Sequence, residues 1–184
     1  MLKIAITGNI ASGKSEVEKI VSQFYPVYDV DKIAHAILGN VDRKALGEKV
    51  FSDPKALKKL EEFIHPKVKQ EIINIFNGNE TEKGFAGLIA PSPNKNIIFI
   101  SIPLLFETGF ETLFDKIIFV QCDDDLRLQR LIKRNNYTEE YAKKRMDSQL
   151  PQDDKIKKSD YVLNNNSTKE HLEKQVLELL KKFS

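Results

Sequence analysis

Apolar positions along the chain fall into short continuous runs suited to buried strands and into stretches of helical period. Leu2 to Thr7 is an apolar run with one charge, closed by glycine, which predicts a central strand covered on both faces. After the glycine-rich stretch Gly8–Ser15 comes a helical pattern that places Val17, Ile20, Val21 and Phe24 on one side. Tyr25-Pro26 ends it, because the residue before a proline is pushed out of the helical region. Val27-Tyr28-Asp29 reads as a short second strand. A helix from about Lys32 to Leu38 follows, and Gly39-Asn40 ends it.

The texture of 41–77 differs, with helical periodicity and no strand. Asp42 can cap a helix running to Val50, and Asp53-Pro54 pairs a cap with proline at the first helical position, where its missing N–H costs nothing. Leu57, Leu60, Phe63 and Ile64 supply the apolar stripe of that helix. His65-Pro66 is expected to break it before a further helix through Phe76. Asn77-Gly78-Asn79 marks a turn, and 78–95, rich in Gly, Asn, Pro and Ser, reads as a long connection that is mobile or holds a short irregular element.

Alternation of strands and helices returns after that connection. Asn96–Ser101 and Lys116–Gln121 are strands, Asp123–Lys133 an amphipathic helix, and 134–158 a charged helical stretch with Arg145 and Gln149 one turn apart. Tyr161–Leu163 is a last short strand. Ser167 and Glu170 form a capping box for a final helix whose stripe is Leu172, Val176, Leu179, Leu180 and Phe183. The pattern predicts an α/β fold: a parallel five-stranded sheet of the P-loop NTPase type with helices on both faces. Residues 1–38 and 96–184 form its core. Two helical excursions leave it, one at 39–95 and one at 134–152.

Composition narrows the partners more than the fold. The 184 residues are 41% hydrophobic and 30% charged, as in a soluble globular chain, and the formal net charge is only +2. No broad cationic surface of the kind nucleic-acid binders carry follows from that balance, and no apolar run reaches the length of a membrane span. Oligomeric state is not legible. One cysteine, Cys122, allows no internal disulfide and reads as a buried thiol. The opening apolar stretch is too short for a signal peptide and leads directly into a glycine-rich loop, which predicts a mature cytoplasmic protein. The three histidines are scattered and predict no zinc site.

The chemistry begins at Gly8-Asn9-Ile10-Ala11-Ser12-Gly13-Lys14-Ser15, a full match to G-x-x-x-x-G-K-[ST] set between a strand and an amphipathic helix. Glycines let the backbone aim successive N–H groups inward at phosphate oxygens, Lys14 reaches the β and γ phosphates, and the Ser15 hydroxyl is a Mg²⁺ ligand. ATP and Mg²⁺ are therefore the expected cofactors. Kinases, GTPase switches and mechanical ATPases all carry such a loop. The guanine-reading Asn-Lys-x-Asp is missing, since Asn94-Lys95-Asn96-Ile97 lacks the aspartate, and small size favours a kinase with a closing lid. Asp29 and Asp31 flank Val30 where the second strand meets its helix. One of them is placed to accept the proton of an acceptor hydroxyl and the other to support the metal through water, with helix capping as the competing role for Asp29.

These strings together resemble the dephospho-coenzyme A kinase family. The likeness is carried by the phosphate loop, by Val27-Tyr28-Asp29-Val30-Asp31-Lys32-Ile33-Ala34, and by Val41-Asp42-Arg43-Lys44-Ala45-Leu46 with Val50-Phe51-Ser52-Asp53-Pro54. It continues through Ile64-His65-Pro66, Pro103-Leu104-Leu105-Phe106-Glu107, Gln129-Arg130-Leu131 with Arg134, and Arg145 with Gln149. The resemblance implies ATP-dependent phosphorylation of the ribose 3′-hydroxyl of dephospho-coenzyme A. It implies Asp31 as the base, with Lys14, Arg130 and Arg134 acting on the transferred phosphoryl group. Arg145 belongs to the lid region near the ATP phosphates, and Asn165 lies beside the adenine. Asp29, His65, Lys69, Leu105, Phe106 and Glu107 are implied on the acceptor side.

Three departures accompany the likeness. The segment between Leu38 and Val41 is about 20 residues shorter than is usual. Ser101 stands where an acidic residue is common. His35 and Lys69 replace arginines, and a lysine cannot reproduce a bidentate fork. A kinase of another small acceptor, such as a nucleoside monophosphate, and a nucleotide-binding protein without turnover are the alternatives.

Overall fold

The structure is a computed structural model that describes residues 1–39, 53–79, 81–90 and 96–183. The expected helix from Asp42 to Val50 lies outside those residues. The chain folds into two compact units: Met1–Tyr28 with Ile89–Ser184, and Asp29–Leu88.

The larger unit is built on strand β1, Leu2–Thr7, whose last four residues are buried, as its continuous apolar run requires. Helix α1, Lys14–Val21, buries Val17 and Val21. Phe24, expected on that stripe, lies beyond the helix end and is 47% exposed, because the chain turns at Ser22 before the apolar period can continue. Strand β2 is Val27–Asp29, and β3, Leu88–Ala90, lies within the stretch read as a long connection. Strand β4, Ile97–Ser101, is buried at every position, and β5 is Lys116–Gln121. Three helices follow, α5 (Asp124–Asn135), α6 (Glu139–Asp147) and α7 (Gln152–Ile156), then β6 (Tyr161–Asn164) and α8 (Lys169–Leu180).

Among the described residues the sheet has six strands in the order β3-β2-β4-β1-β5-β6, one more than expected because Leu88–Ala90 adds an edge. β1 lies parallel to both β4 and β5, with Ile6 opposite Ser101 and Thr7 opposite Phe119. β6 lies parallel to β5. Parallel strands need covering helices, and one core cluster joins Ile4, Ile6, Phe99 and Val120 of the sheet to Val17 and Val21 of α1 and to Leu172, Val176 and Leu180 of α8. The Tyr25 and Phe99 rings, 5.4 Å apart, extend it. α8 starts one residue later than the Ser167 capping box predicts. Thr168 is the N-cap and its hydroxyl accepts from His171 N–H, so Glu170 falls one position short of closing a box.

The smaller unit is helical. α2, Val30–Leu38, opens two residues earlier than expected, because the Asp29 carboxylate accepts from the Asp31 N–H and caps it. α3 is one helix from Pro54 to Phe76, capped by Asp53, with Pro66 inside it. The break expected at His65-Pro66 does not occur. Proline removes one exposed hydrogen bond, whereas continuing the helix buries Val68, Ile72 and Ile75, which outweighs that loss. The expected stripe lies partly in solvent, with Leu57 37% and Phe63 50% exposed. In the stretch read as a loop, Thr81 caps α4, Glu82–Gly87, and its hydroxyl also meets the Glu71 carboxylate of α3. Among the described residues no helix is long and apolar enough to cross a membrane.

Candidate active site

The turn after β1 is held by its own backbone and by three distant segments. Gly13 has φ +92° and serves as the N-cap of α1, with no side chain capping the helix, so the first N–H groups of α1 are left for a ligand. A Cβ at position 13 would fall 2.0 Å from Asn165 Nδ2, and one at position 8 would fall 2.5 Å from Ser12 Oγ and 2.8 Å from the Val120 carbonyl. Ala11 has φ +63°. A loop this tightly drawn, with N–H groups at a helix start, fits a chain of phosphates. Ser12 Oγ is buried without a hydrogen-bond partner.

Side chains far along the chain close on this turn. The Asn165 amide, on the residue after β6, donates to the Ser12 carbonyl at 2.7 Å. The Ile10 N–H donates to Gln149 Oε1 at 2.6 Å, and Asn9 Nδ2 donates to the Leu150 carbonyl at 3.0 Å. Leu150 N–H in turn donates to Glu107 Oε1, which also lies 2.6 Å from the buried Lys155 ammonium. Burial holds the Lys155 ammonium below the ordinary lysine range, against the opposing pull of Glu107. Arg127 is 3% exposed. It donates to the Ile10 carbonyl at 3.4 Å and to Asp124 at 2.7 Å, and its Nε has no hydrogen-bond partner. One turn on, Arg130 donates to the Asn165 carbonyl at 3.1 Å and approaches Cys122 Sγ at 3.2 Å. Burial raises the Cys122 thiol above its usual range, more strongly than Arg130 and Arg127 lower it. A cavity of about 710 Å³ opens beside the loop, lined by Asn9, Gln121, Arg127, Gln149, Leu150 and Gln152 among others.

Lys14 Nζ lies 2.5 Å from Glu18 Oε1 and donates to the Ser101 hydroxyl, and Ser15 is exposed in the first turn of α1. The loop residues Gly8, Asn9, Ile10, Ala11, Ser12, Gly13, Lys14 and Ser15 thus form one element with Asn165 and Arg130 against it. Arg134 stands apart: it is exposed in the last turn of α5, its Nε donating to Asn135. Arg145 is half-buried on α6. Leu105 and Phe106, expected to face the acceptor, are 0% and 8% exposed, packed in the larger unit, and Glu107 braces Leu150 and Lys155. In the smaller unit Asp29 caps α2, Asp31 is exposed in its first turn, and half-buried His65 and exposed Lys69 sit four residues apart on α3. Among the described residues no group of three or more His, Cys, Asp and Glu could hold a metal ion.

Sequence reasoning missed Arg127, and assigned the Gln149 and Asn9 side chains no contact of this kind. The signal for Arg127 is its place in the series Arg127, Arg130, Arg134, spaced three and four apart on one helix.

A family model described as dephospho-CoA kinase matches residues 36–171. A dephospho-CoA kinase of Geobacillus kaustophilus is 36% identical over 205 aligned positions, covering 99% of this chain and 96% of that protein. The chain belongs to the dephospho-CoA kinase family. This makes it a kinase, and the 205 aligned positions exceed its 184 residues, so the Geobacillus relative carries residues that this chain lacks. The solved dephospho-CoA kinase of Campylobacter jejuni superimposes with a TM-score of 0.67 at 29% identity, over 99% of this chain and 96% of that one. A shikimate kinase of Bacteroides thetaiotaomicron shares the fold alone, with a TM-score of 0.59 at 13% identity, over 99% and 98%. The family model starts after the phosphate loop, at residue 36, whereas the alignment with the Geobacillus relative covers 99% of the chain.

Proposed function

We propose that the chain transfers the γ-phosphoryl group of ATP to the ribose 3′-hydroxyl of dephospho-coenzyme A, giving coenzyme A and ADP, the last step of coenzyme A biosynthesis. The observation that carries this reading is the family match over 36–171 following a formed phosphate loop. The loop N–H groups and the start of α1 hold the phosphates. Lys14 follows the migrating group, and Arg130, Arg134 and Arg145 neutralise charge on it as the lid segment closes. Asp31 accepts the proton of the 3′-hydroxyl, while Asp29 holds the first turn of α2 in place as its cap. His65, Lys69 and Glu107 belong to the acceptor side of this reading. Leu105 and Phe106 support it from within the core. The Ser15 hydroxyl would hold Mg²⁺ arriving with the nucleotide, and the ion would neutralise charge on the phosphoryl oxygens. ATP as substrate and a buried free Cys122 suit the cytoplasm, and nucleic acid has no part in the reaction.

ADP release coupled to a panel of acceptors tests the reading. Dephospho-coenzyme A should support turnover and nucleoside monophosphates should not; the reverse result would overturn it. Asp31→Asn should lower kcat by about 10²–10⁴ while ADP affinity holds, because only the proton acceptor is lost. A nearly silent Asp31→Asn beside an inactive Asp29→Asn would exchange the two roles.

A further inference from the structure

Lys14 is not left to point freely at an incoming phosphate. Its side chain is 15% exposed, and its ammonium is shared between the Glu18 carboxylate and the Ser101 hydroxyl. Ser101 in turn donates to the same Glu18 oxygen, so the three groups close a triangle. Two of its corners are deep: the Glu18 side chain is 9% exposed and Ser101 is 0% exposed. Helical spacing explains how Glu18 gets there. It follows Lys14 by four residues and Ser15 by three, so all three share one face of α1. Sheet register supplies the third corner, since Ser101 ends β4 opposite Ile6, just before the loop.

A carboxylate beside a phosphate-binding lysine opposes the binding of a bare polyanion. It compensates the lysine's charge in the resting protein, and at low local dielectric it repels phosphate oxygens. The same negative charge favours a divalent cation arriving with the nucleotide. We propose that Glu18, clamped by Ser101, is a positioning residue for Lys14 that makes nucleotide binding depend on Mg²⁺. The proposal rests on the phosphate loop being the nucleotide site, as argued above. What it adds is a carboxylate on α1, at a position the phosphate-loop pattern leaves unspecified.

Calorimetric Kd values for ADP, measured with Mg²⁺ and with EDTA, test it. Wild-type protein should bind ADP more tightly with Mg²⁺. Glu18→Gln, which keeps the shape and removes the charge, should bind Mg²⁺-free ADP about tenfold more tightly, the scale of one nearby charge, and so reduce the Mg²⁺ dependence by about the same factor. Glu18→Asp, which keeps the charge, should retain the wild-type ratio. The double variant Glu18→Gln, Ser101→Asp returns a carboxylate to the triangle from the strand side and should restore that ratio; it is also the variant to measure if Glu18→Gln alone melts early. A Glu18→Gln ratio within about twofold of wild type, an equal loss of affinity in both buffers, or a double variant that stays about tenfold below the wild-type ratio would each overturn the proposal. Wild-type protein that binds no ADP in either buffer would overturn the nucleotide reading itself, and this inference with it.

Discussion

A methyl group at position 13 would sit 2.0 Å from Asn165 Nδ2, on a backbone whose φ of +92° alanine adopts only under strain. Gly13→Ala therefore carries two penalties, a dihedral cost of about 1–3 kcal/mol and the displacement of the Asn165 amide from the Ser12 carbonyl. ADP affinity should fall by more than about tenfold, and the melting temperature should drop with it. Adding Asn165→Ala opens the space without relieving the dihedral, so the double variant should regain only part of the loss. Wild-type ADP binding in Gly13→Ala would show that the loop does not hold the phosphates. The two arginines of α5 separate at the same scale. Arg130 braces the Asn165 carbonyl, while Arg134 is exposed at the helix end. Both Arg130→Ala and Arg134→Ala should lower kcat more than they raise the KM for ATP, because charge on the transferred group is greatest in the transition state. Only Arg130→Ala should also lower the melting temperature. Full kcat with a raised KM in both would reduce them to ground-state binding groups.

Helix α3 shows how an element overrides a local signal. Pro66 interrupts the hydrogen-bond ladder at the Glu62 carbonyl, yet the helix runs from Pro54 to Phe76 because the turns beyond it carry Val68, Ile72 and Ile75 into the smaller unit. Pro66 is itself exposed, so replacing it removes a defect and no packing. Pro66→Ala should raise the stability of the protein by about 1–2 kcal/mol, the regained helical bond less the extra freedom of the unfolded chain, read from the shift in urea midpoint. A lower midpoint would mean that the proline sets a bend that the smaller unit requires. Elsewhere strand and helix identities were legible in the chain, since β1, β4 and β5 carry the apolar runs Ile4–Ile6, Ile97–Ile100 and Ile117–Val120 and α8 carries a clean stripe at Leu172, Val176 and Leu179. The short elements Glu82–Gly87 and Leu88–Ala90 were not. Fewer than two turns of helix and three residues of strand hold too few periods to stand out from a Gly-, Asn- and Pro-rich stretch.

At the scale of the whole molecule, chain length carries its own prediction. The path from Ile33-Ala34-His35 to Val41-Asp42-Arg43 takes only five residues, and the Geobacillus relative has residues that this chain lacks. On the proposed reading that 39–95 holds the acceptor, less chain there leaves less surface for the long arm of dephospho-coenzyme A, while the phosphate loop and Asp31 are both present. Discrimination against a truncated acceptor lacking the thiol end should be only about one or two powers of ten in kcat/KM, about 1.4 kcal/mol for each. A preference above about a thousandfold would show that other residues supply the missing wall.

Several features of this protein are written locally and follow from the sequence alone. The alternation of short apolar runs with stretches of period 3.6 sets the order of strands and helices, and eight consecutive residues spell the phosphate loop. The strings around Asp31, His65 and Glu107 mark the family. Tertiary structure alone decided which distant groups meet that loop. Nothing local pairs Ile10 with Gln149 across 139 positions, places Arg127 against the Ile10 carbonyl, or sets Ser101 against Lys14 and Glu18. Those pairings depend on the strand order β3-β2-β4-β1-β5-β6, which long-range burial selects. Local propensity encodes the period of an element, whereas its neighbours are chosen by the surface that the whole chain removes from water.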